Sequence, residues 1–325
     1  MEIPSQTAPS EGHILRRPAL QTQVGTALVV PLPPGFKESF FSAGGVPIHY
    51  LEGPCNGPPL LLLHGTARDW NSFSVLLPQL SLRFHVFLPD LRGHGASGHV
   101  PCAYRVSQFA DDICEFVRRV VPPDPALFGH SLGGIVALSI AARCGVSAVI
   151  VGDSMISPKN LTSSIYHTIF VQLRDLLVQG GSQEHIAHGI GKFQLQLPGI
   201  DELVAIAELP GNTPSVLLEW ARSALQTDTD VLTMAVEGSA YDQWRPESIL
   251  PQISCPVLLL QGNPELDALL TDFDVEAAKR LLACVEHIKF PLLGHALFMQ
   301  RPDPVLTAIT GFLDRHLCKS SAATD

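Results

Sequence analysis

Ala126-Leu127-Phe128-Gly129-His130-Ser131-Leu132-Gly133-Gly134 places an apolar run, a serine between glycines and a second apolar stretch in immediate succession. The first run is short enough for a strand buried on both faces, and Leu132 to Ala142 continues long enough for a helix. A strand that turns this sharply into a helix forces the central serine into a strained backbone conformation. Its neighbours must be glycines, because larger side chains would strike the adjacent backbone. The hydroxyl of Ser131 would then project from the end of a sheet, near the positive end of the following helix. That is the geometry a serine nucleophile requires.

Outward from this turn, the same kind of apolar run recurs. Leu60 to Leu63, Val86 to Leu88, Val149 to Val151 and Val257 to Leu260 read as further buried strands, and Val285 to Phe290 as another. Helical patterns lie between several of them. Val305, Ile309, Phe312 and Leu313 form one stripe on a last helix. Alternation of this kind predicts an α/β fold with a doubly wound, mostly parallel sheet. It is interrupted once. From Ser157 to Leu250 no strand pattern stands out, but Ile165, Ile169, Leu173 and Leu176 share a helical face, and Asp201–Glu208 and Ser215–Leu225 suggest two more helices. The predicted organisation is therefore a loosely ordered extension over 1–35, a core over 36–156 and 251–317, a helical cap over 157–250 above the strands' C-terminal edge, and a flexible tail over 318–325.

With these segments in place the sequence resembles the α/β-hydrolase family from about Phe36 to Leu317, through four motifs in the family's order. They are Leu63-His64-Gly65-Thr66 after a strand, Asp90-Leu91-Arg92-Gly93-His94-Gly95-Ala96-Ser97, the turn at Ser131, and Gly294-His295 before the last helix. The resemblance implies Ser131 as nucleophile, His295 as its base, and backbone N–H groups of Thr66 and Leu132 as the oxyanion hole. His64 and His94 read as structural. Of the 13 histidines, His295 alone is so placed, and a neutral imidazole can take the serine proton and return it to a leaving group.

The third member of a Ser–His–acid set is open. The chain order Ser, acid, His points to the turn Gln261-Gly262-Asn263-Pro264-Glu265-Leu266-Asp267. The family's usual spacing from the glycine selects Glu265. Asp267 in the same turn and Asp153, ending the strand before the cap, are the alternatives. Trp70 and Phe298 are candidates for lining an acyl pocket, or equally for ordinary core.

Other patterns carry less. Glu184, His185 and His188 lack a third ligand at suitable spacing and read as a solvated helix face, so no metal is expected. Gly189-Ile190-Gly191-Lys192 lacks the remaining residues of a phosphate-binding loop. The seven cysteines are scattered with no C-x-x-C, which fits reduced thiols in the cytoplasm. Acidic residues outnumber basic ones 31 to 21, for a formal net charge of −10, which argues against nucleic acid or an anionic membrane as partner. Arg16-Arg17 and Arg118-Arg119 are too short to reverse it. Leu132 to Gly152 is apolar and near membrane length, but Arg143 and Gly145 break it into a helix and a strand. The polar N-terminus carries no secretory pattern.

The expected activity is hydrolysis of an ester, thioester or amide of a small molecule with a hydrophobic portion, without cofactor. Lyase, dioxygenase or haloperoxidase chemistry on the same site, and ligand reception with little turnover, are the alternatives. A lysine of the cap, Lys159 or Lys192, aimed at the site would favour a lyase.

Overall fold

The computed structural model describes residues 30–157, 164–197, 199–209 and 211–317. The extension expected over 1–35 lies almost wholly outside them, as do the tail and Lys159.

Eight strands form one sheet. β1 (Lys37–Ala43) and β2 (Val46–Glu52) make an antiparallel hairpin through Gly44-Gly45. Both glycines have positive φ, 53° and 90°, the conformation that tight two-residue hairpins need. β2 pairs antiparallel with β4 (His85–Pro89). From there the sheet is parallel through β3 (Pro59–Leu63), β5 (Ala126–His130), β6 (Ala148–Gly152), β9 (Val257–Gln261) and β10 (Val285–Lys289), in the order β1-β2-β4-β3-β5-β6-β9-β10. The remaining two strands, β7 (Gln194–Gln196) and β8 (Leu203–Ala205), form a separate antiparallel pair.

Apolar runs become central strands because each face of the sheet has its own core. Leu61, Leu63, Leu127, Val149, Val151 and Leu259 point to one side, where they meet α2 (Val106–Arg119) and α3 (Leu132–Ala141). Leu60, Leu62, Phe128, Ile150, Leu258 and Leu260 point to the other, toward α1 (Leu77–Leu80), α10 (Leu297–Gln300) and α11 (Pro302–Leu317). The predicted stripe Val305, Ile309, Phe312, Leu313 is fully covered. The apolar stretch 132–152 is α3 followed by β6, and no helix among the described residues is long and apolar enough to cross a membrane.

Between β6 and β9 the chain makes α4 (Ile165–Gln179), α5 (Gln183–Gly191), α6 (Pro214–Leu225), α7 (Thr229–Val236) and α8 (Pro246–Ile249). α9 (Asp272–Leu281) follows β9. This insertion differs from expectation in one place: 201–208 is not a helix but the strand β8 running into a 3-10 turn, Ile206–Glu208. Each of the two strands is only three residues long, too short for an apolar period to show. The insertion rests on loops that leave the C-terminal ends of the strands. Arg222 reaches Asp69 at 2.5 Å, Ser223 Oγ donates to the Ala67 carbonyl at 3.0 Å, and the Asp228 N–H donates to the Gly93 carbonyl at 2.8 Å. On its far side Trp244 Nε1 donates to the Ile156 carbonyl at 2.7 Å.

Candidate active site

Ser131 sits between β5 and α3 with φ 54° and ψ −122°, a combination that costs a non-glycine residue about 1–3 kcal/mol. The surroundings hold it there. Its N–H donates to the Gly152 carbonyl at 2.9 Å, and its own carbonyl accepts from Ser154 Oγ at 2.6 Å and from the Gly134 N–H at 2.9 Å. The glycines are obligatory: a Cβ on Gly129 would lie 2.0 Å from the Gly133 carbonyl oxygen, and one on Gly133 at 2.0 Å from that of Leu63.

The loop after β3 passes directly beside the nucleophile. A Cβ on Gly65 would be 3.1 Å from the Cβ of Ser131, and Thr66 is the next residue in this loop. The first residue of α3 is Leu132, and the N–H groups of a helix's first turn lack intrahelical partners. His64 fixes this loop. Its Nε2 accepts from the Leu91 N–H at 2.9 Å, which leaves the proton on Nδ1 to donate to the Gly65 carbonyl at 2.9 Å. Complete burial lowers its pKa and keeps the ring neutral. His94, driven down to about 3 chiefly by burial, donates from Nδ1 to the Arg92 carbonyl at 2.9 Å. Both are structural.

The ring of His295 is held by Asp153, not Glu265. His295 Nδ1 lies 2.6 Å from Asp153 Oδ2. The same oxygen accepts the Leu269 N–H at 2.7 Å, and Oδ1 accepts those of Gly262 and Leu270, each at 3.2 Å. Asp153 is fully buried, and its donors match the acceptor-only oxygens of a carboxylate. The turn after β9 thus contributes backbone donors to the acid rather than the acid itself. Pro264 begins a 3-10 turn there, Pro264–Leu266, that carries Glu265 into solvent, with its N–H capped by Asn263 Oδ1 at 3.0 Å. Asp267 serves the same loop differently: its Oδ1 accepts the backbone N–H of His295 at 2.7 Å and its Oδ2 the hydroxyl of Tyr166 at 3.2 Å. Burial raises its pKa.

Two further side chains orient His295, and sequence reasoning missed both. His130 Nε2 donates to the His295 carbonyl at 2.8 Å, and burial holds its pKa well below the ordinary value. Tyr166, in the first turn of α4, lays its ring 4.5 Å from the His295 ring; burial pushes its hydroxyl well above the ordinary tyrosine range. Trp70 and Phe298, by contrast, belong to the core. Phe298 is wholly buried, stacked on Phe73 at 5.3 Å and edge-on to Phe128 at 5.6 Å. Trp70 is 8% exposed within the same cluster, because its backbone is drawn inward by Asp90 Oδ1 at 2.9 Å. Glu184, His185, His188 and Lys192 are all exposed on or beside α5, and no metal-ligating cluster occurs among the described residues.

Residues 60–308 match the model of the alpha/beta hydrolase family, and the chain belongs to that family. It is 35% identical over 264 residues to the 2-(acetamidomethylene)succinate hydrolase of Mesorhizobium japonicum, covering 80% of this chain and 89% of that one. It is also 37% identical over 221 residues to the magnesium-chelatase 30 kDa subunit of Rhodobacter capsulatus, covering 65% and 72%. Among solved structures, a thermophilic esterase from Thermogutta terrifontis superposes with a TM-score of 0.64 at 23% identity, covering 86% of this chain and 99% of that one. That likeness is one of fold.

Proposed function

We propose that the protein is a serine hydrolase that cleaves an ester, thioester or amide bond of a small molecule through an acyl-enzyme on Ser131. The observation that carries this is the 2.6 Å contact between His295 and the buried Asp153, assembled beside a serine held at φ 54°. In the proposed cycle His295 takes the proton of Ser131 as its oxygen attacks the carbonyl carbon. Asp153 holds the imidazole in the tautomer with the proton on Nδ1 and stabilises the imidazolium that forms. The N–H groups of Thr66 and Leu132 receive the developing oxyanion, a contribution of several kcal/mol. The imidazolium then protonates the leaving group, and the reverse sequence with water releases the acid. The insertion acts as a cap, and the rings of Tyr166 and Trp220 give the substrate an apolar wall. The family membership and a relative named as a hydrolase support the reading.

The test is covalent labelling with a fluorophosphonate, read by peptide mass, beside turnover of a panel of simple esters. Wild-type protein should carry the label on Ser131 and Ser131→Ala should take none and lose turnover. Undiminished turnover in Ser131→Ala would overturn the mechanism.

A further inference from the structure

Arg68 stands at the rim of the site with no function in the cycle above. It lies two residues beyond Thr66 in the same turn, its N–H donating to the Gly65 carbonyl at 3.3 Å. Its guanidinium carbon is 4.6 Å from the centre of the Trp220 ring on α6. The turn that carries it passes beside the nucleophile, where a Cβ on Gly65 would lie 3.1 Å from that of Ser131, so Arg68 spans from the loop at Ser131 to the insertion.

The neighbouring carboxylates Asp69 and Glu219 favour its charge through space but make no ion pair with it, their oxygens being bonded to other groups. Asp69 binds Arg222 at 2.5 Å. Glu219 receives Arg222 at 2.7 Å and Asn71 Nδ2 at 2.6 Å. The hydroxyl of Tyr166 is neutral and donates to Asp267. Among the described residues Arg68 has an aromatic contact but no ion pair. A partly buried cation without an anion is costly, and burial brings the pKa of Arg68 down to about 10. Removed from water, stacked on an indole and adjacent to the oxyanion loop, such a group is suited to a ligand's planar anion, which a guanidinium can grip with two parallel hydrogen bonds.

We propose that Arg68 binds a carboxylate of the substrate, so that the compound cleaved is a carboxylate-bearing ester, thioester or amide. The class is the singly charged half-ester or half-amide of a small dicarboxylic acid. The assignment rests on the acyl-transfer reading of Ser131. A single charge fits better than a phosphate dianion, because Asp69 and Glu219 share one cation, Arg222, and their fields also act on Arg68. The apolar wall of Tyr166 and Trp220 would flank the carbon chain between the two ends.

Monoethyl succinate and monoethyl glutarate, compared with the neutral ethyl butyrate and ethyl valerate of matched length, test this by pH-stat. For wild-type protein, kcat/KM should favour at least one half-ester by about tenfold or more, the range in which a paired charge discriminates. In Arg68→Gln that ratio should fall at least about tenfold, and Arg68→Lys should retain part of it. No half-ester preference in the wild type, or a ratio unchanged in Arg68→Gln, would overturn the assignment. A binding arm separates this failure from failure of the hydrolase reading. Calorimetry with glutarate should show binding to wild type that weakens at least about tenfold in Arg68→Gln, with neutral glutaramide binding weakly to both. Glutarate binding without any ester turnover or Ser131 labelling would sink the hydrolase reading and leave the carboxylate site standing. Binding of inorganic phosphate in place of glutarate would overturn the carboxylate assignment. Should Arg68→Gln fail to fold, the wild-type ratio and Arg68→Lys still decide.

Discussion

Whether Asp153 or Glu265 serves His295 is a matter of reach, and it can be measured. Asp153 loses a charge-assisted contact at 2.6 Å when it becomes Asn. The Asn amide would also favour the wrong imidazole tautomer, so Asp153→Asn should lower kcat on a simple ester by about 10³–10⁴-fold. Glu265→Gln alters an exposed side chain and should leave kcat within about twofold. A large loss in Glu265→Gln alone would refute the geometry. Ser131 and His295 were legible in sequence because their signals are local: glycines on either side of one, a strand and a helix flanking the other. The acid was legible only as one of three candidates, since the contact joins residues separated by 142 positions and the spacing after Gly262 pointed first to a carboxylate that Pro264 turns outward. A second residue-scale prediction concerns His49, which lies 2.8 Å from Asp90 and 3.5 Å from Glu38. Burial works against the charged ring, but the two carboxylates more than offset it and raise its pKa above 6.5. Burial likewise opposes the charge of Asp90, yet its contact with His49 leaves its pKa below 3.8. The stability His49 contributes is therefore fully present below its unfolded pKa and is lost as pH rises through the raised folded value, while that of Asp90 is lost as pH falls through its depressed one. His49→Gln should thus shift the denaturation midpoint more at pH 6 than at pH 9, and an equal shift at both would refute the pair.

At the scale of elements, α6 is latched to the 3-10 turn Trp70–Phe73 through its N-cap, Asp69. Burial and the neighbouring Asp90 push Asp69 up to about 6, with Arg222 pulling in the opposite direction. Arg222→Gln would strand this carboxylate in a site where it is 2% exposed, at a cost of about 3 kcal/mol in unfolding free energy. Glu219, whose side chain is 42% exposed, contributes far less, and Glu219→Gln should cost under about 1 kcal/mol. Denaturant titration of both variants checks the contrast; equal costs would mean that the latch is not the buried pair. The central strands could be found in sequence because burial on both faces leaves an unbroken apolar run. β1 and β2 carried no such run: Lys37, Glu38 and Ser39 open the first, and its central residues are only half-buried. The latch itself was illegible, since an arginine and an aspartate 153 positions apart leave no periodic trace.

Across the whole molecule, the insertion shares a core with the sheet instead of owning one. Ile169, Phe170 and Leu173 of α4, Val231 and Leu232 of α7 and the buried Trp244 belong to the same contiguous apolar cluster as Leu61, Leu127, Val151 and Leu259. The sequence indicated an interval without apolar strands, which is composition, but not how that interval seats on the sheet, which is shape. Because the described residues of the insertion form no separate core that would hold it folded while the sheet unfolds, the two should melt together. Calorimetry is expected to give one transition whose measured enthalpy equals the van't Hoff value. Removing the Trp244 ring should lower that one transition without splitting it: Trp244→Ala deletes a fully buried side chain and the 2.7 Å bond to the Ile156 carbonyl, at about 3–5 kcal/mol. Two resolved transitions in the wild type, or a new low-temperature transition in Trp244→Ala with the original unmoved, would show that the insertion is a separate folding unit, one that could open over Ser131 while the sheet remains intact.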